Sequence, residues 1–176
     1  MSSEGVIIVA KTVLHVGPGS SPLPPWIETE QETRFDIDAR NEPDIVGDMC
    51  AMGEIGQYDV VVACHVLEHV TLPQARKALS EFKRVLAPKG LAIIVVPDLE
   101  DVRPTSEILY ESELGPVSGL DMFYGMQSAI AEYPHMAHKY GYVSATLHRE
   151  LTQAGFTGVT TSRDDGWNLV GFGVVE

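Results

Sequence analysis

The sequence reads YDVVVAC at residues 58–64 and LAIIVVP at residues 91–97. Both runs have the length of a strand and are almost continuously apolar, which is typical of strands buried on both faces of a parallel sheet. Between them, residues 73–87 carry apolar side chains at spacings of three and four, which predicts an amphipathic helix that ends at Pro88-Lys89-Gly90. A strand, a helix and a second strand in this order predict a βαβ unit with a right-handed crossover.

Shorter signals extend the sheet on both sides of this unit. On the N-terminal side, strands are predicted at residues 12–16 (TVLHV), 34–38 (RFDID) and 45–46. On the C-terminal side, the pattern predicts a helix at 143–154 and two strands at 156–163 and 167–175, joined by a hairpin turn at Asp164-Asp165-Gly166. The chain is therefore predicted to be an α/β protein with a Rossmann-like open, mostly parallel sheet and an antiparallel C-terminal edge strand.

Two segments depart from this pattern. Residues 20–26 (SSPLPPW) contain three prolines where such a fold places its first helix, so this helix is predicted to be shortened or absent. Residues 99–142 are rich in Gly, Met and Tyr and are longer than an ordinary connection, which predicts a lid or substrate-binding insertion. The first part of this insertion, residues 101–112, has a composition compatible with a helix.

The composition is that of an ordinary globular domain. With 176 residues, of which 44% are hydrophobic and 21% charged, residues 1–176 are predicted to form a single domain. No apolar run approaches the roughly 20 residues of a membrane span, and residues 6–10 lack the basic flank of a secretory signal, so a cytoplasmic location is expected. The net charge of −13 disfavours nucleic acid and anionic membranes as partners. Cys50 and Cys64 lack C-x-x-C spacing and are expected to be buried thiols.

The first predicted strand ends at a glycine turn, Gly17-Pro18-Gly19, at the sheet edge where open α/β sheets bind ligands. A phosphate-binding G-x-G-x-x-G motif would need a glycine at Pro22 and a helix after it. Because the prolines remove that helix, the turn favours a nucleoside without a phosphate. Asp36, at the end of the second strand, is placed to accept from ribose hydroxyls, and Asp48, after the third, to contact an adenine. S-adenosylmethionine meets these requirements.

Several motifs, taken together, resemble one enzyme family. They are LHVGPGS, FDID, GDM, YDVVVACHVLEHV, ALSEFKRVLAPKGLAIIVVPD and LTQAGF. They are similar to the class I S-adenosylmethionine-dependent methyltransferases, in particular to small type 11-like members, over residues 11–175. The resemblance implies a Rossmann-like fold and S-adenosylmethionine as the cofactor. The sequence departs from the family pattern at His15, where members usually have an acidic residue, and at Ser21, which replaces a third glycine.

The resemblance also implies roles for individual residues. Gly17 and Gly19 would line the methionine and ribose portions of the cofactor, and Cys64 would line the floor beside the sulfonium. The full set of predicted cofactor-binding residues is His15, Gly17, Pro18, Gly19, Asp36, Ile37, Asp48, Met49, Cys64 and His65. His65 and His138 are the predicted catalytic residues. Within the insertion, the residues predicted to face the methyl group are Tyr124, Gln127, His138, Lys139 and Tyr142.

The segment His65-Val66-Leu67-Glu68-His69 matches the H-x-x-E-H string of the inverted zinc peptidases. Those enzymes present the string from a long helix, whereas here it directly follows a predicted strand and Thr71-Leu72-Pro73 interrupts it. We therefore predict no metal site. Val66 and Leu67 are expected to pack under the sheet, Glu68 to act in the electrostatics of the turn, and His69 to be exposed.

The leading functional hypothesis is an S-adenosylmethionine-dependent methyltransferase that acts on a small-molecule acceptor by direct methyl displacement. The protein would mainly align the acceptor, the methyl carbon and the sulfur, and His65 or His138 would serve as a general base for a hydroxyl or carboxyl acceptor. One alternative is a non-catalytic module that binds S-adenosylmethionine or S-adenosylhomocysteine. A less favoured alternative is a zinc hydrolase that uses His65, Glu68 and His69. The exposed edge of the closing hairpin and the apolar insertion allow a homodimer.

Overall fold

The computed structural model describes residues 7–112, 114–164 and 166–176. The strands in these residues are β1 (Ile8–Val16), β2 (Ile27–Asp36), β3 (Ile45–Val46), β4 (Tyr58–Cys64), β5 (Leu86–Pro97), β6 (Ile108–Ser112), β7 (Gly115–Ser118), β8 (Thr157–Arg163) and β9 (Asn168–Val174). The α-helices are α1 (Leu72–Val85), α2 (Gly119–Tyr124), α3 (Gln127–Glu132) and α4 (Ser144–Gln153). Single turns of 3-10 helix lie at Ala39–Asn41, Leu67–His69 and Pro134–Met136.

The main sheet has the strand order β3-β2-β1-β4-β5-β9-β8. Its first five strands in this order are parallel, whereas β9 runs antiparallel to both β5 and β8. The predicted open α/β sheet with an antiparallel C-terminal edge is therefore confirmed. The two closing strands are also present, while Asp165 of the predicted turn between them lies outside the described residues.

The connection between β1 and β2 contains no helix, as the proline-rich sequence predicted. Helix α1 ends at Val85, because Leu86 already pairs with Tyr58 as the first residue of β5. The expectation of a helix at 101–112 was wrong. The backbone at 101–107 is irregular around Pro104, and the segment that follows, Ile108–Ser112, forms β6, which pairs with β7.

The two long helices cover the same face of the sheet. The main core on that face joins Leu79 and Phe82 of α1 and Leu147 and Leu151 of α4 to alternate residues of the strands, such as Val61. On the opposite face, a smaller core of strand residues is covered by Leu23 and Trp26 of the proline-rich connection. Among the described residues, we find no helix with the length and apolarity that a membrane crossing requires.

Candidate functional site

Backbone hydrogen bonds align the carboxyl ends of the parallel strands. The Gly17 N–H donates to the Phe35 carbonyl at 2.7 Å, and the Gly47 N–H donates to the Asp36 carbonyl at 2.9 Å. The His65 N–H donates to the Val95 carbonyl at 2.8 Å. The first turn, Asp36, the segment after β3 and His65 therefore meet at one edge of the sheet, which is where ligands bind in open α/β folds.

The glycine turn after β1 has a backbone that other residues adopt only with strain. Gly17 and Gly19 have φ angles of +61° and +54°. A β-carbon at Gly17 would lie 2.6 Å from the Val66 Cγ2 atom, so the segment after β4 packs directly on this glycine. At Gly19, a β-carbon would meet nothing within 4 Å among the described atoms, so the turn is open there to an incoming group.

Asp36 lies against this turn. One carboxylate oxygen accepts from the Gly19 N–H at 2.9 Å, and the other accepts from the Asp38 N–H at 2.8 Å. Asp36 is buried, and these two bonds fix its side chain at the end of β2. Each carboxylate oxygen can accept more than one hydrogen bond, so both oxygens retain capacity for the hydroxyls of a ribose.

A network of charged side chains next to the glycine turn was not predicted from the sequence. Arg34 donates to the carbonyl oxygens of Gly19 at 2.7 Å and Ser21 at 3.0 Å. Glu32 lies 3.5 Å from Arg34 and 2.8 Å from the buried His15 Nδ1 atom. Burial lowers the pKa of His15 below its ordinary value, although the hydrogen bond and the charge of Glu32 oppose this shift. Glu32 thus places a carboxylate next to His15, the position where the resemblance predicted an acidic residue. The sequence feature that could have indicated this network is the charged residue at every second position of β2.

The remaining predicted cofactor residues lie along the same edge with different exposures. Pro18 is buried within the turn, whereas Ile37 is 64% exposed beyond Asp36. Asp48 is exposed and accepts from the Cys50 N–H at 2.8 Å. The Met49 side chain packs in the main core, so only its backbone is available to a ligand. Burial, with a contribution from the charge of Glu68, raises the pKa of the Cys64 thiol to about 12, which keeps it protonated at neutral pH.

His65 is the residue that turns the chain at the end of β4. It has a φ of +54°, which is uncommon for a residue with a side chain, and its side chain is 48% exposed. Its Nδ1 atom lies 3.5 Å from a Glu68 carboxylate oxygen. Desolvation lowers the pKa of His65, but the contacts with Glu68 and Asn168 and the charges of Glu68 and Asp164 together raise the pKa overall. Such a strained, exposed position at a strand end is typical of functional sites.

The second predicted catalytic histidine lies next to the H-x-x-E-H segment. The His138 ring is 5.1 Å from the His69 ring, measured between centroids, and its Nδ1 atom lies 2.9 Å from the Met122 carbonyl oxygen. Leu67 is fully buried, as expected, but the prediction that His69 is exposed was wrong, because the insertion packs over it. Tyr142, predicted to face the methyl group, is 1% exposed and packs in the main core. Of the other predicted insertion residues, Tyr124, Gln127 and Lys139 are exposed.

The insertion closes a cleft against the first turn. The cleft has a volume of about 530 Å³, and its walls are Gly19, Ser20, Asp38, Arg40, Asn41, Leu114, Ser128, Ala129, Glu132, Tyr133, His135 and Met136. Arg40 joins the two walls, because its guanidinium pairs with Asp38 at 2.5 Å and lies 4.7 Å from the centre of the Tyr133 ring. This ion pair lowers the pKa of Asp38 to about 2.

Comparison with known families decides the class of this fold. A family model described as a methyltransferase domain matches residues 5–161. The chain belongs to the methyltransferase domain family. The resemblance seen in the sequence is thereby confirmed. A search of curated proteins found no match.

Solved structures of methyltransferases share this fold at low sequence identity. An O-methyltransferase family protein from Burkholderia thailandensis is 14% identical, with a TM-score of 0.57 over 95% of this chain and 51% of that one. Human N-acetylserotonin methyltransferase in complex with SAM is 13% identical, with a TM-score of 0.62 over 94% and 48% of the two chains. The N-methyltransferase NodS from Bradyrhizobium japonicum WM9 in complex with S-adenosyl-L-homocysteine is 14% identical, with a TM-score of 0.56 over 95% and 79%. The methyltransferase domain described here thus spans about half the length of several of the structures it matches.

Proposed function

We propose that this methyltransferase domain binds S-adenosylmethionine at the edge formed by the glycine turn and Asp36, and transfers its methyl group to a small-molecule acceptor by direct displacement. The observation that carries the proposal is the pairing of an open, positive-φ turn with a fixed carboxylate: Gly19 is unobstructed on its β-carbon side, and its N–H donates to Asp36. Two of the similar structures named above were solved with SAM or S-adenosyl-L-homocysteine, which supports the same ligand here.

The residues at this edge fit a nucleoside better than a nucleotide. The connection after the turn forms no helix, so it offers no helix N-terminus to a phosphate. Asp36 adds negative charge, which favours ribose hydroxyls as donors and disfavours a phosphate group. When bound, S-adenosylmethionine supplies a methyl carbon attached to a positively charged sulfur, which is a strong electrophile.

The contribution of the chain is then to bind, to orient and to exclude water. Gly17 and Gly19 allow close approach of the backbone, and Asp36 accepts from the ribose. Effective alignment of two reactants can contribute about 7 to 11 kcal/mol to the lowering of a barrier. The residues of the insertion that wall the cleft opposite Gly19 would act as the lid that shields the acceptor from water.

His65 is proposed to line the acceptor site, because its exposed ring lies at the end of β4 beside Val66, which packs on Gly17. His138 is less suited to act as a general base on an acceptor. Its Nδ1 atom donates to the Met122 carbonyl at 2.9 Å, and its ring packs against His69 of the turn after β4.

The experiment that tests the proposal is a methyl-transfer screen. The full chain is incubated with S-adenosylmethionine and pools of small hydroxyl, amine and carboxyl compounds, and release of S-adenosylhomocysteine is measured. Turnover that depends on one pool is expected. Cofactor binding without turnover in any pool would instead support the alternative of a non-catalytic binding module, and absence of binding would contradict both functions.

A further inference from the structure

Four buried side-chain polar atoms have no hydrogen-bond partner in the part of the chain that the structure describes. They are both carboxylate oxygens of Glu68, the Nδ1 atom of His69 and the hydroxyl of Tyr142. Glu68 is only 2% exposed. The Tyr142 ring lies 5.0 Å from the Tyr140 ring, measured between centroids, and the Tyr140 N–H donates to the Glu68 carbonyl at 3.3 Å, so Tyr142 lies close to the turn that carries Glu68. Buried polar groups are almost always paired, and a buried unpaired carboxylate is costly. These atoms therefore indicate a partner.

The side chains around this region have the composition of a metal site. One potential ligand atom from each of Glu68, His69 and His138 lies within 4.8 Å of the others. The three residues come from two distant parts of the sequence: Glu68 and His69 belong to the turn after β4, and His138 belongs to the insertion. One carboxylate and two imidazoles form a ligand set that zinc and related divalent transition metals prefer.

Backbone hydrogen bonds hold the segment that carries His138 next to the turn that carries Glu68 and His69. The Glu68 carbonyl accepts from the N–H groups of Lys139 at 2.7 Å and Tyr140 at 3.3 Å, which holds the segment that carries His138 against the turn. The His138 Nδ1 atom faces the Met122 carbonyl at 2.9 Å, and this contact leaves Nε2 as the nitrogen that is free to bind a metal. A hydrogen bond from the far ring nitrogen to a backbone carbonyl is the usual support of a metal-binding histidine.

We propose that Glu68, His69 Nδ1 and His138 Nε2 hold a divalent transition-metal ion, with zinc the best match. Ligand atoms around a tetrahedral zinc are about 3.4 Å apart, given metal–ligand distances of about 2.1 Å, so small side-chain rotations would complete the site. Three protein ligands leave one position for water or for an oxygen atom of a bound molecule. The ion would tie the insertion to the end of β4. This proposal does not rest on the proposed methyl transfer.

The H-x-x-E-H segment alone suggested a different set of metal ligands, namely His65, Glu68 and His69. In the structure, His65 is 48% exposed and pairs with Glu68 at 3.5 Å, whereas His138 supplies the second imidazole of the buried group. Two explanations of the buried carboxylate therefore compete: a metal ion held with His138, or charge balance by a protonated His65 without a metal.

Metal analysis of the full chain separates these explanations. The chain is stripped with a chelator, dialysed against excess zinc chloride and then against buffer, and zinc is measured by mass spectrometry. Cobalt substitution adds a spectroscopic readout, because tetrahedral Co²⁺ with nitrogen and oxygen ligands absorbs in the visible range. We expect one zinc per chain, a visible cobalt spectrum and a higher melting temperature with zinc than with chelator.

Matched variants assign the ligands. Glu68→Gln and His138→Asn are each expected to weaken zinc binding at least tenfold, while His65→Asn and the exposed His135→Asn retain it. Circular dichroism checks that each variant is folded, and the near-isosteric Glu68→Gln keeps the test valid should a histidine variant unfold. Zinc content far below one per chain in the parent would overturn the proposal. Loss of zinc in His65→Asn with retention in His138→Asn would also overturn it, in favour of the set suggested by the segment alone.

Discussion

Gly17 makes a contact that only glycine permits. A side chain there would be strained by the φ of +61° and would collide with Val66, whereas Gly53, with a φ of +71°, has open space. We expect Gly53→Ala to cost about 1 kcal/mol of stability through strain alone. Gly17→Ala should cost distinctly more and should also weaken the binding of S-adenosylmethionine, since the turn must move. Urea unfolding and calorimetry check both, and equal effects of the two substitutions would argue against the contact.

The buried His15 is expected to make the stability of the folded chain depend on pH. The pKa of His15 is lowered in the folded state, mainly by burial. At any pH between this lowered pKa and the unfolded value of about 6.5, the unfolded chain therefore binds more protons than the folded chain. The contribution of His15 to stability is therefore complete above about pH 6.5 and is lost as the pH falls through the folded pKa. His15→Asn, which can still donate to Glu32, should flatten this slope. Urea titrations of both proteins at pH 7.5 and 5.5 measure it, and parallel losses of stability would contradict the assignment.

For single residues, the sequence predicted their location at the sheet edge better than it predicted their burial and their contacts. The glycine turn and Asp36 lie together at the sheet edge, because both follow directly from where buried strands end. The burial of Glu68 and the packing of His69 were not predictable, because they depend on His138, which is distant in the sequence and enters through an irregular insertion. The role of Arg34 was hidden for a similar reason, since its partners are backbone carbonyls that no sequence pattern reports.

The two long helices are joined by a buried ion pair. Glu150 of α4 is 1% exposed and accepts from Arg76 of α1 at 2.7 and 3.3 Å and from Arg149 at 3.1 Å. Glu150→Gln should lower the free energy of unfolding by about 1 to 2 kcal/mol, because charge-assisted bonds are lost while the half-exposed arginines regain water. Glu132→Gln, at an exposed site, is the control in urea unfolding. A loss no larger than that of the control would show that the pair does not hold the helices.

Elements with strong periodicity were predictable, and those shaped by the insertion were not. The βαβ unit formed by β4, α1 and β5 follows from two apolar runs and one amphipathic segment, and the structure has it with small shifts of the boundaries. By contrast, β6 lies in a segment without clear periodicity, and its strand conformation depends on pairing with β7. Because such a two-strand hairpin is stabilised by its neighbours more than by its own residues, local sequence could not specify it.

For the whole molecule, the helices and the insertion lie against different parts of the sheet. Helices α1 and α4 lie on one face of the sheet, and the proline-rich connection covers part of the other. The sheet edge at the glycine turn is walled by residues of the insertion. The prolines at residues 20–26 predicted that no helix follows the glycine turn, and the role of residues 99–142 as a lid or substrate-binding insertion stays a prediction. The sequence did not predict which insertion residues face the turn, because Tyr133 and His135 reach the cleft through tertiary packing.

The proposed methyl transfer depends on S-adenosylmethionine binding at the edge formed by the glycine turn and Asp36. Calorimetric titration of the full chain with this cofactor measures the binding, with Asp36→Asn as the variant and Glu30→Gln, an exposed carboxylate on the same strand, as the control. We predict one-to-one binding for the parent and for Glu30→Gln, and affinity at least tenfold weaker for Asp36→Asn. Absence of binding by the parent, or equal affinity in all three proteins, would rule out Asp36 and the glycine turn as the cofactor site.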